Sequence, residues 1–231
     1  MKIYGLQKLT LLDYPGKTAC TIFTGGCNFR CPFCHNALLV TDIDSSNTYT
    51  EEEILDFLAK RTGLLDGVCI TGGEPLMHNG ISEFIKKIKE LGYKVKLDTN
   101  GTFPKKLAEL LENRLVDYVA MDIKNSKEKY AKTAGVENIN LSDIEKSINM
   151  LKSSDIDYEF RTTVVKELHT ESDIEKIAEW IKGAKGYFLQ NFEDSGNLIG
   201  GNLSAVEKQT LYNMKSLAGA FVQNTQIRGI K

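Results

Sequence analysis

The sequence predicts a single-domain α/β protein built as a partial (βα)6 barrel of the TIM type. Short runs rich in β-branched and aromatic residues alternate with amphipathic helical segments about six times along the chain. Most of these runs are apolar throughout, which is typical of parallel strands whose two faces are both covered. Six units are fewer than those of a closed (βα)8 barrel, so we expect an incomplete, splayed barrel, with an open doubly wound sheet as the alternative.

The predicted strands are short and spread along most of the chain. They span residues 18–24, 67–73, 93–99, 116–123, 158–165 and 186–191. Between them, apolar residues recur at helical spacing from Ile81 to Leu91 and again from Ile174 to Ile181. Thr50, which precedes three glutamates, is expected to cap the N-terminus of another helix. In such folds the functional residues gather at the carboxyl ends of the strands.

The whole chain, residues 1–231, is expected to form one domain. Its barrel core covers about residues 16–192. Residues from about 203 to 231, with a helix near 204–217, have no repeat partner and are interpreted as a C-terminal appendage. With 231 residues, 42% of them hydrophobic and 26% charged, the chain is long enough to bury one sizeable core.

Charge and hydropathy restrict the function classes. The 29 Lys and Arg residues nearly balance 31 Asp and Glu residues, so no basic field predicts binding to nucleic acid or to an acidic membrane surface. No signal-peptide core or membrane-span stretch is visible, and we expect a cytoplasmic protein. In that reducing compartment the clustering of three of the five cysteines favours metal ligation over disulfides. Cys20 and Cys69 fall inside predicted strands and are interpreted as core residues.

Three cysteines form the most specific motif in the sequence. Cys27, Cys31 and Cys34 follow the first predicted strand in a C-x3-C-x2-C pattern. Cysteine thiolates are the usual ligands of iron–sulfur clusters, and three ligands leave one iron of a cubane without a protein donor. A zinc site is an alternative, although His35 adjoins Cys34 and is poorly spaced for a fourth ligand. Unligated thiols are the third interpretation.

The cysteine segment resembles the signature of a known family. The stretch from Gly25 to Asn36, with Phe33 before the last cysteine, resembles the signature of the radical S-adenosylmethionine superfamily. The resemblance implies a [4Fe–4S] cluster on the three cysteines, S-adenosylmethionine on its unique iron, and Phe33 near the adenine. Reductive cleavage is then expected to release methionine and a 5′-deoxyadenosyl radical. His35, which adjoins a ligand, is expected to support the cofactor site without binding iron.

The next strand end offers a second cofactor contact. The second predicted strand runs into Gly72, Gly73 and Glu74. Glycines let a ligand approach the backbone closely, and Glu74 adds a carboxylate beside them. An ordinary turn between strand and helix has a similar composition. The segment resembles the family's Gly-Gly-Glu motif, which implies a charge-assisted hydrogen bond from the methionine amino group to Glu74.

Acidic residues end the third and fourth predicted strands. Asp98 and Thr99 end the third, and Asp122, Ile123 and Lys124 end the fourth. A buried carboxylate needs a cationic or hydrogen-bonding partner, and helix capping is the alternative role for each. The two segments resemble those of the glycyl-radical-enzyme activases. The resemblance implies that they line the S-adenosylmethionine site, that the two acidic residues surround a monovalent cation, and that Lys124 is a candidate catalytic residue.

Three further residues complete the predicted site. Arg161, in the fifth strand, needs an anionic partner, which is either the ligand or a structural ion pair across the sheet. Gln190, in the sixth strand, is assigned to the cofactor site. The pyruvate formate-lyase activases carry a histidine near the adenine after this strand, whereas this chain has Phe192 and so departs from that subgroup. Asp13 lies in a segment that resembles their Asp-x-Pro-Gly segment, which implies a place near the substrate loop, although a plain Pro-Gly turn also explains it.

These observations lead to three functional hypotheses. The first is an activase that abstracts a glycine Cα hydrogen from a glycyl radical enzyme, of the anaerobic ribonucleotide reductase or pyruvate formate-lyase type, with a flavodoxin or ferredoxin as reductant. The small size supports it, because 231 residues leave little beyond a partial barrel to enclose a bulky substrate. The second is a radical enzyme that acts on a small molecule. The third is a non-catalytic iron–sulfur electron carrier or a zinc-binding interaction protein.

Overall fold

In the part of the chain that this computed structural model describes, one sheet contains eight strands, which lie side by side in the order of the sequence. The structure describes residues 1–42 and 48–230. The strands are β1 (Ile3–Thr10), β2 (Ala19–Thr24), β3 (Gly67–Gly72), β4 (Lys94–Thr99), β5 (Tyr118–Asp122), β6 (Asp157–Val164), β7 (Tyr187–Asn191) and β8 (Thr225–Arg228). From β2 to β8 every neighbouring pair is parallel, and β1 runs antiparallel to β2.

The predicted fold class is confirmed, with two additional strands. The six predicted strands are β2 to β7, with ends displaced by at most two residues. The unpredicted strands β1 and β8 lie at the two edges of the sheet. Edge strands need no continuous apolar run: Gln7, Lys8 and Leu9 of β1 are exposed, and β8 has only four residues. The segment interpreted as a C-terminal appendage therefore supplies a strand of the same sheet.

Helices follow most of the parallel strands. They are α1 (Leu38–Thr41), α2 (Glu51–Ala59), α3 (Ile81–Glu90), α4 (Pro104–Glu112), α5 (Tyr130–Ala134), α6 (Leu141–Ser153), α7 (Glu171–Trp180) and α8 (Lys208–Gly219), with a 3-10 turn at Pro75–Met77. The predicted cap of α2 is confirmed: the Glu53 N–H donates to Thr50 Oγ1 at 3.2 Å, and the Thr50 N–H donates to Glu53 Oε2 at 2.8 Å. Among the described residues, no helix combines the length and the apolar character needed to cross a membrane.

The two faces of the sheet differ in chemistry. Neighbouring residues of a strand point to opposite faces, so β4 alternates between the two environments. Val95 and Leu97 are fully buried in the apolar layer shared with the helices. Lys96 and Asp98 instead line a cavity inside the open barrel, together with charged residues of β6 and β8. The interior of this barrel is therefore polar, unlike the packed apolar centre of a closed TIM barrel.

An ion pair fixes the C-terminal edge strand to the interior. Arg228 of β8 donates to both carboxylate oxygens of Glu159 on β6, at 2.7 and 2.8 Å, and Glu159 is only 1% exposed. The Tyr118 hydroxyl donates to the same carboxylate at 2.7 Å. The Arg228 guanidinium also lies over the Phe188 ring, 3.7 Å from its centre. These contacts explain why a four-residue strand holds its position at the edge.

We predict that Arg228→Ala lowers the free energy of unfolding by about 2–3 kcal/mol, because it leaves the Glu159 charge buried without a cation. The value lies below the usual cost of about 3–5 kcal/mol for breaking a buried pair, because Arg228 is 38% exposed and water can replace part of the interaction. Urea denaturation of the cluster-free protein measures it. Lys146→Ala, which removes an exposed pair with Asp143, serves as the control and should change the stability by less than about 0.5 kcal/mol.

A second substitution tests the cause. Adding Glu159→Gln to Arg228→Ala removes the buried charge and should recover part of the lost stability. A double variant that is no more stable than Arg228→Ala alone would contradict the explanation.

Candidate functional site

A cavity of about 230 Å³ lies at the carboxyl ends of the parallel strands. It collects nearly all residues that the sequence assigned to the cofactor and the metal. These are Cys27, Cys31, Phe33, Cys34, His35, Gly72, Gly73, Glu74, Asp98, Thr99, Asp122, Lys124, Arg161 and Gln190. They come from a loop and five strand ends that are far apart in the sequence, and the parallel arrangement brings them to one edge of the sheet.

The three cysteines lie in the loop that follows β2. All three thiols line the cavity, and burial raises their pKa, that of Cys31 to about 12. The nearby Lys124 ammonium acts in the opposite direction and favours the thiolate of each. A group that binds thiolates is therefore needed to hold all three in the ionised form at neutral pH.

The cysteine arrangement fits a cluster better than a single metal ion. Within residues 1–42 and 48–230, no three His, Cys, Asp or Glu side chains converge closely enough to hold one metal ion. A tetrahedral zinc ion needs sulfur atoms at about 2.3 Å from one centre. An iron–sulfur cluster is larger, and each of its thiolate ligands binds a different iron. Cys27, Cys31 and Cys34 all line the same cavity, as the ligands of the larger group must.

Neighbouring backbone holds the cysteine loop in place. A Cβ at Gly73 would lie 1.8 Å from the carbonyl oxygen of Gly26, so only glycine allows this contact. The Glu74 N–H donates to the same Gly26 oxygen at 2.8 Å. On the other side, the Arg30 N–H donates to Ala134 O at 2.9 Å. The loop is therefore clamped between the end of β3 and the end of α5.

Glu74 is the most deeply buried carboxylate of the cavity wall. Its Oε1 accepts hydrogen bonds from Thr99 Oγ1 at 2.8 Å and from the Leu76 N–H at 3.1 Å, and its Oε2 accepts one from the Asn100 N–H at 2.7 Å. Burial nevertheless raises the pKa of Glu74 to about 7. A cationic ligand beside this carboxylate would lower that pKa again, which makes the position suitable for an ammonium group.

A network of charges crosses the floor of the cavity. Arg161 donates to Asp98 at 3.3 Å and to Asp122 at 2.9 Å, so the ion pair across the sheet that we left open as an alternative is present. Lys124 Nζ donates to Asp122 at 3.0 Å, and Lys96 Nζ donates to Asp98. The cations hold the pKa of both aspartates below the usual value, and Asp122 raises the pKa of Lys124. All five groups are therefore charged at neutral pH.

Two residues assigned to the site lie elsewhere. Ile123 is fully buried in the core, and its N–H and carbonyl bond to β6, because a residue between Asp122 and Lys124 points away from the cavity. Asp13 lines a second cavity of about 200 Å³ deeper in the barrel, where it accepts a hydrogen bond from Thr21 Oγ1 at 2.5 Å. The two cavities have Asp98, Arg161 and Gln190 in common.

The position after β7 contacts the cysteine loop. Phe192, which stands where the activases have a histidine, is buried and stacks on the His35 ring at a centroid distance of 6.0 Å. His35 Nε2 also lies 2.8 Å from the Glu193 carbonyl oxygen. His35 itself is exposed. The aromatic pair therefore joins the last strand of the cavity to the loop that carries the cysteines.

Sequence reasoning missed two polar residues beside the cavity. His169 is buried, accepts the Val165 N–H at Nδ1 at 3.1 Å, and lies 2.8 Å from the Lys124 carbonyl oxygen through Nε2. Its ring also packs against Phe33. Asn100 bonds Asn28 of the cysteine loop at 2.8 Å. The position of Asn100 after a strand end was a usable signal, whereas nothing local in the sequence distinguishes His169.

Residues 21–181, about two thirds of the chain, match the profile of the radical SAM superfamily. The chain belongs to the radical SAM superfamily. Membership implies a [4Fe–4S] cluster and S-adenosylmethionine, which agrees with the thiols and charged groups of the cavity.

Several characterised or named proteins are similar to this chain. A protein of Methanocaldococcus jannaschii, provisionally named a glycyl-radical enzyme activating enzyme, is 36% identical over 239 aligned residues, which cover 99% of this chain and 96% of that protein. GTP 3′,8-cyclase of Helicobacter pylori is 30% identical over 176 residues, covering 72% of this chain and 51% of the cyclase. The crystal structure of Streptococcus suis SuiB bound to S-adenosylmethionine shares the fold, with a TM-score of 0.71 and 15% identity over 89% of this chain and 49% of that one.

We predict that Gly135→Ala prevents iron–sulfur reconstitution. Gly135 has a φ of +68°, and an added Cβ would lie 2.0 Å from the Arg30 carbonyl oxygen, so the cysteine loop must move. Iron and sulfide content after anaerobic reconstitution measures the effect. Gly92→Ala is the matched control, because Gly92 also has a positive φ, of +90°, but its Cβ would meet nothing within 4 Å. The control should lose about 1 kcal/mol of stability and keep its iron. Equal iron in both variants would contradict the prediction.

We predict a pH-dependent effect of Glu74→Gln on the stability of the cluster-free protein. The pKa of Glu74 is raised from 4.5 to about 7, so its contribution to stability is complete below pH 4.5 and is lost as the pH rises through 7. Glutamine does not ionise. The difference in unfolding free energy between the variant and the parent should therefore shift in favour of the variant by about 2–3 kcal/mol between pH 5 and pH 8.

Parallel urea denaturations at the two pH values measure this shift. Any constant effect of the new amide cancels, because only the change between the two pH values is compared. A difference that stays the same at both values, or moves toward the parent at high pH, would show that the carboxyl is not destabilised by burial.

Proposed function

We propose that this protein activates a glycyl radical enzyme by abstracting a hydrogen atom from a glycine Cα of that partner. One observation carries the proposal. The Methanocaldococcus jannaschii protein named for this activity aligns with 99% of this chain, and the chain covers 96% of that protein. An alignment from end to end leaves little in either protein that the other lacks, which favours a common type of substrate.

The surroundings of the cavity suit a substrate that is part of another protein. The sheet is open between its edge strands β1 and β8. The deeper cavity, of about 200 Å³, shares Asp98, Arg161 and Gln190 with the upper cavity, which holds the cysteines. It extends from there to Leu12 and Asp13. Leu12 is 90% exposed, so the deeper cavity reaches the protein surface. A cavity of about 200 Å³ suits a narrow chain segment such as one centred on glycine.

The residues of the cavity match the donors that the two cofactors need. When bound, the [4Fe–4S] cluster and S-adenosylmethionine together supply a carbon radical that abstracts hydrogen atoms. Cys27, Cys31 and Cys34 are the thiolates for the cluster. Glu74 provides a carboxylate for an ammonium group, and Lys124 provides an ammonium for a carboxylate. These assignments use the groups of the chain that face the cavity.

Three residues are assigned to positioning the reaction. Lys124 lies between the Asp122 carboxylate, at 3.0 Å, and the Phe33 ring, whose centre is 6.0 Å away, so its ammonium has a fixed place on the wall. Phe33 is 5% exposed and offers an apolar surface for an aromatic base. Asp13 lines the deeper cavity and is assigned to the partner's segment.

The hydrogen transfer needs one electron from outside the protein. The hydrogen atom moves from the glycine Cα to the adenosyl carbon, and the products are methionine, 5′-deoxyadenosine and a glycyl radical in the partner. A low-potential flavodoxin or ferredoxin is the expected donor, because the reductive cleavage needs a cluster at the low end of the iron–sulfur range, and only a reductant of similarly low potential can reduce such a cluster.

A small-molecule substrate is the second candidate function. The similarity to GTP 3′,8-cyclase over 72% of this chain supports it. The chain, however, spans only 51% of that cyclase. The shared part contains the cofactor cavity, so this similarity supports a common set of cofactors more than a common substrate.

We predict that the reconstituted, reduced protein generates a glycyl radical in a glycyl radical enzyme of the same organism. Electron paramagnetic resonance detects the radical, and chromatography detects one 5′-deoxyadenosine per radical formed. Cys31→Ala removes a cluster ligand and should abolish both products. Cys20→Ala is the matched control: Cys20 is fully buried in β2, outside the cysteine loop, and its variant should keep its iron and its activity.

Other outcomes separate the candidates. Formation of 5′-deoxyadenosine that no partner accelerates, with turnover of a nucleotide instead, would contradict the activase proposal and favour the small-molecule function. Zinc in place of iron after reconstitution would contradict both.

A further inference from the structure

Asp98 and Asp122 form an acidic pair on neighbouring strands at the floor of the cofactor cavity. The resemblance described above implies a monovalent cation between two such residues. Each of their four carboxylate oxygens already has a cationic partner within the chain. Lys96 Nζ contacts Asp98 Oδ1, Arg161 Nη1 lies 3.3 Å from Asp98 Oδ2, Arg161 Nε lies 2.9 Å from Asp122 Oδ1, and Lys124 Nζ lies 3.0 Å from Asp122 Oδ2. The pair therefore does not fit the implied cation.

Lys96 occupies an enclosed position beside this pair. Its side chain is only 2% exposed. Its Nζ faces the Asp98 carboxylate, lies 3.7 Å from Cys69 Sγ, and lies 6.0 Å from the centre of the Tyr118 ring. Burial of a lysine ammonium costs several kcal/mol unless an anion compensates it. Lys96 and Asp98 thus depend on each other, and Lys96 stays where a bound cation would otherwise contact the carboxylate.

The charge balance of the network also opposes a further cation. Asp98 and Asp122 contribute two negative charges, and Lys96, Arg161 and Lys124 contribute three positive charges, so these five groups alone carry a net charge of +1 beside the Glu74 and Glu159 carboxylates. The two aspartates therefore have no uncompensated charge that would attract another cation. An anionic group of a ligand is attracted instead.

We propose that Lys96 and Arg161 are built-in counter-cations that take the place of a bound K⁺ or Na⁺ between Asp98 and Asp122. Cofactor binding by this protein therefore does not depend on a monovalent cation. The inference goes beyond the proposed function and holds for either candidate substrate, because it concerns only the floor of the cofactor cavity.

The first test uses the full-length, cluster-free protein and its thermal unfolding in potassium, sodium or choline chloride at matched ionic strength. The parent protein should show the same midpoint in all three salts. Lys96→Ala leaves Asp98 without its cation and opens space beside it. Its midpoint should be lowest in choline chloride, which is too large to enter, and should rise saturably with added K⁺ or Na⁺.

Lys94→Ala is the matched control. Lys94 belongs to the same strand and also pairs with an aspartate, Asp117, at 2.9 Å, but its side chain is 57% exposed. Water replaces an exposed partner, so any loss of stability in this variant should be equal in the three salts.

The second test measures S-adenosylmethionine binding to the reconstituted protein by equilibrium dialysis. The dissociation constant of the parent should change by less than about twofold between potassium and choline chloride, as screening alone would produce. Lys96→Ala should bind roughly tenfold more weakly in choline chloride than in potassium chloride, because its buried carboxylate then lacks a counter-ion.

Two results would overturn the inference. One is a saturable rise in the unfolding midpoint or cofactor affinity of the parent with K⁺ or Na⁺ but not with choline. The other is a Lys96→Ala variant that loses the same stability in all three salts, which would mean that no ion takes the place of the ammonium. If that variant does not fold, the unfolding midpoints of the parent protein in the three salts decide whether the inference holds. Neither test involves a partner enzyme, so both can be interpreted even if the activase proposal fails.

Discussion

The site depends on mutual neutralisation of charged side chains inside an open barrel. Arg161 of β6 contacts Asp98 of β4 and Asp122 of β5, and thereby joins the strand ends on which the cavity rests. Removal of one member of a buried ion pair leaves the other uncompensated, at a cost of several kcal/mol. The network therefore fixes the positions of its members before any ligand binds. A ligand then meets groups that need little reorganisation, which is how polar sites achieve strong binding.

The cysteine loop is also held in position before a ligand binds, by backbone contacts instead of charges. It contains little regular structure, yet close contacts hold it from two sides. Gly73 lies against the Gly26 carbonyl, and Gly135 lies against that of Arg30. His35 adds a stack on Phe192 at the far end of the loop. A loop that is held by three separate parts of the chain can present its thiols in one arrangement, which a cluster with several ligands requires.

The barrel divides its interior between two tasks. The upper cavity gathers the thiols and the charged groups that suit the cofactors, and the deeper cavity leads past Asp13 toward the exposed Leu12. Folds of this kind host many reactions because the strand ends keep the cofactors while the edges of the sheet vary. In this protein the edges are β1 and β8, the two strands that flank the opening.

The sequence by itself determined strands β2 to β7 and the residues at their ends, because local apolar patterns and motifs of a few residues encode both. It did not reveal the edge strands, whose short or exposed segments carry no such pattern. Ile123 was assigned to the site because it lies between Asp122 and Lys124 in the motif. Side chains alternate between the two faces of the sheet, however, so the Ile123 side chain lies in the core. The partners of Lys96, Arg161 and His169 were decided only by the tertiary structure. Their hydrogen bonds join residues from different strands and loops, and no local pattern specifies which charges a fold will bury together.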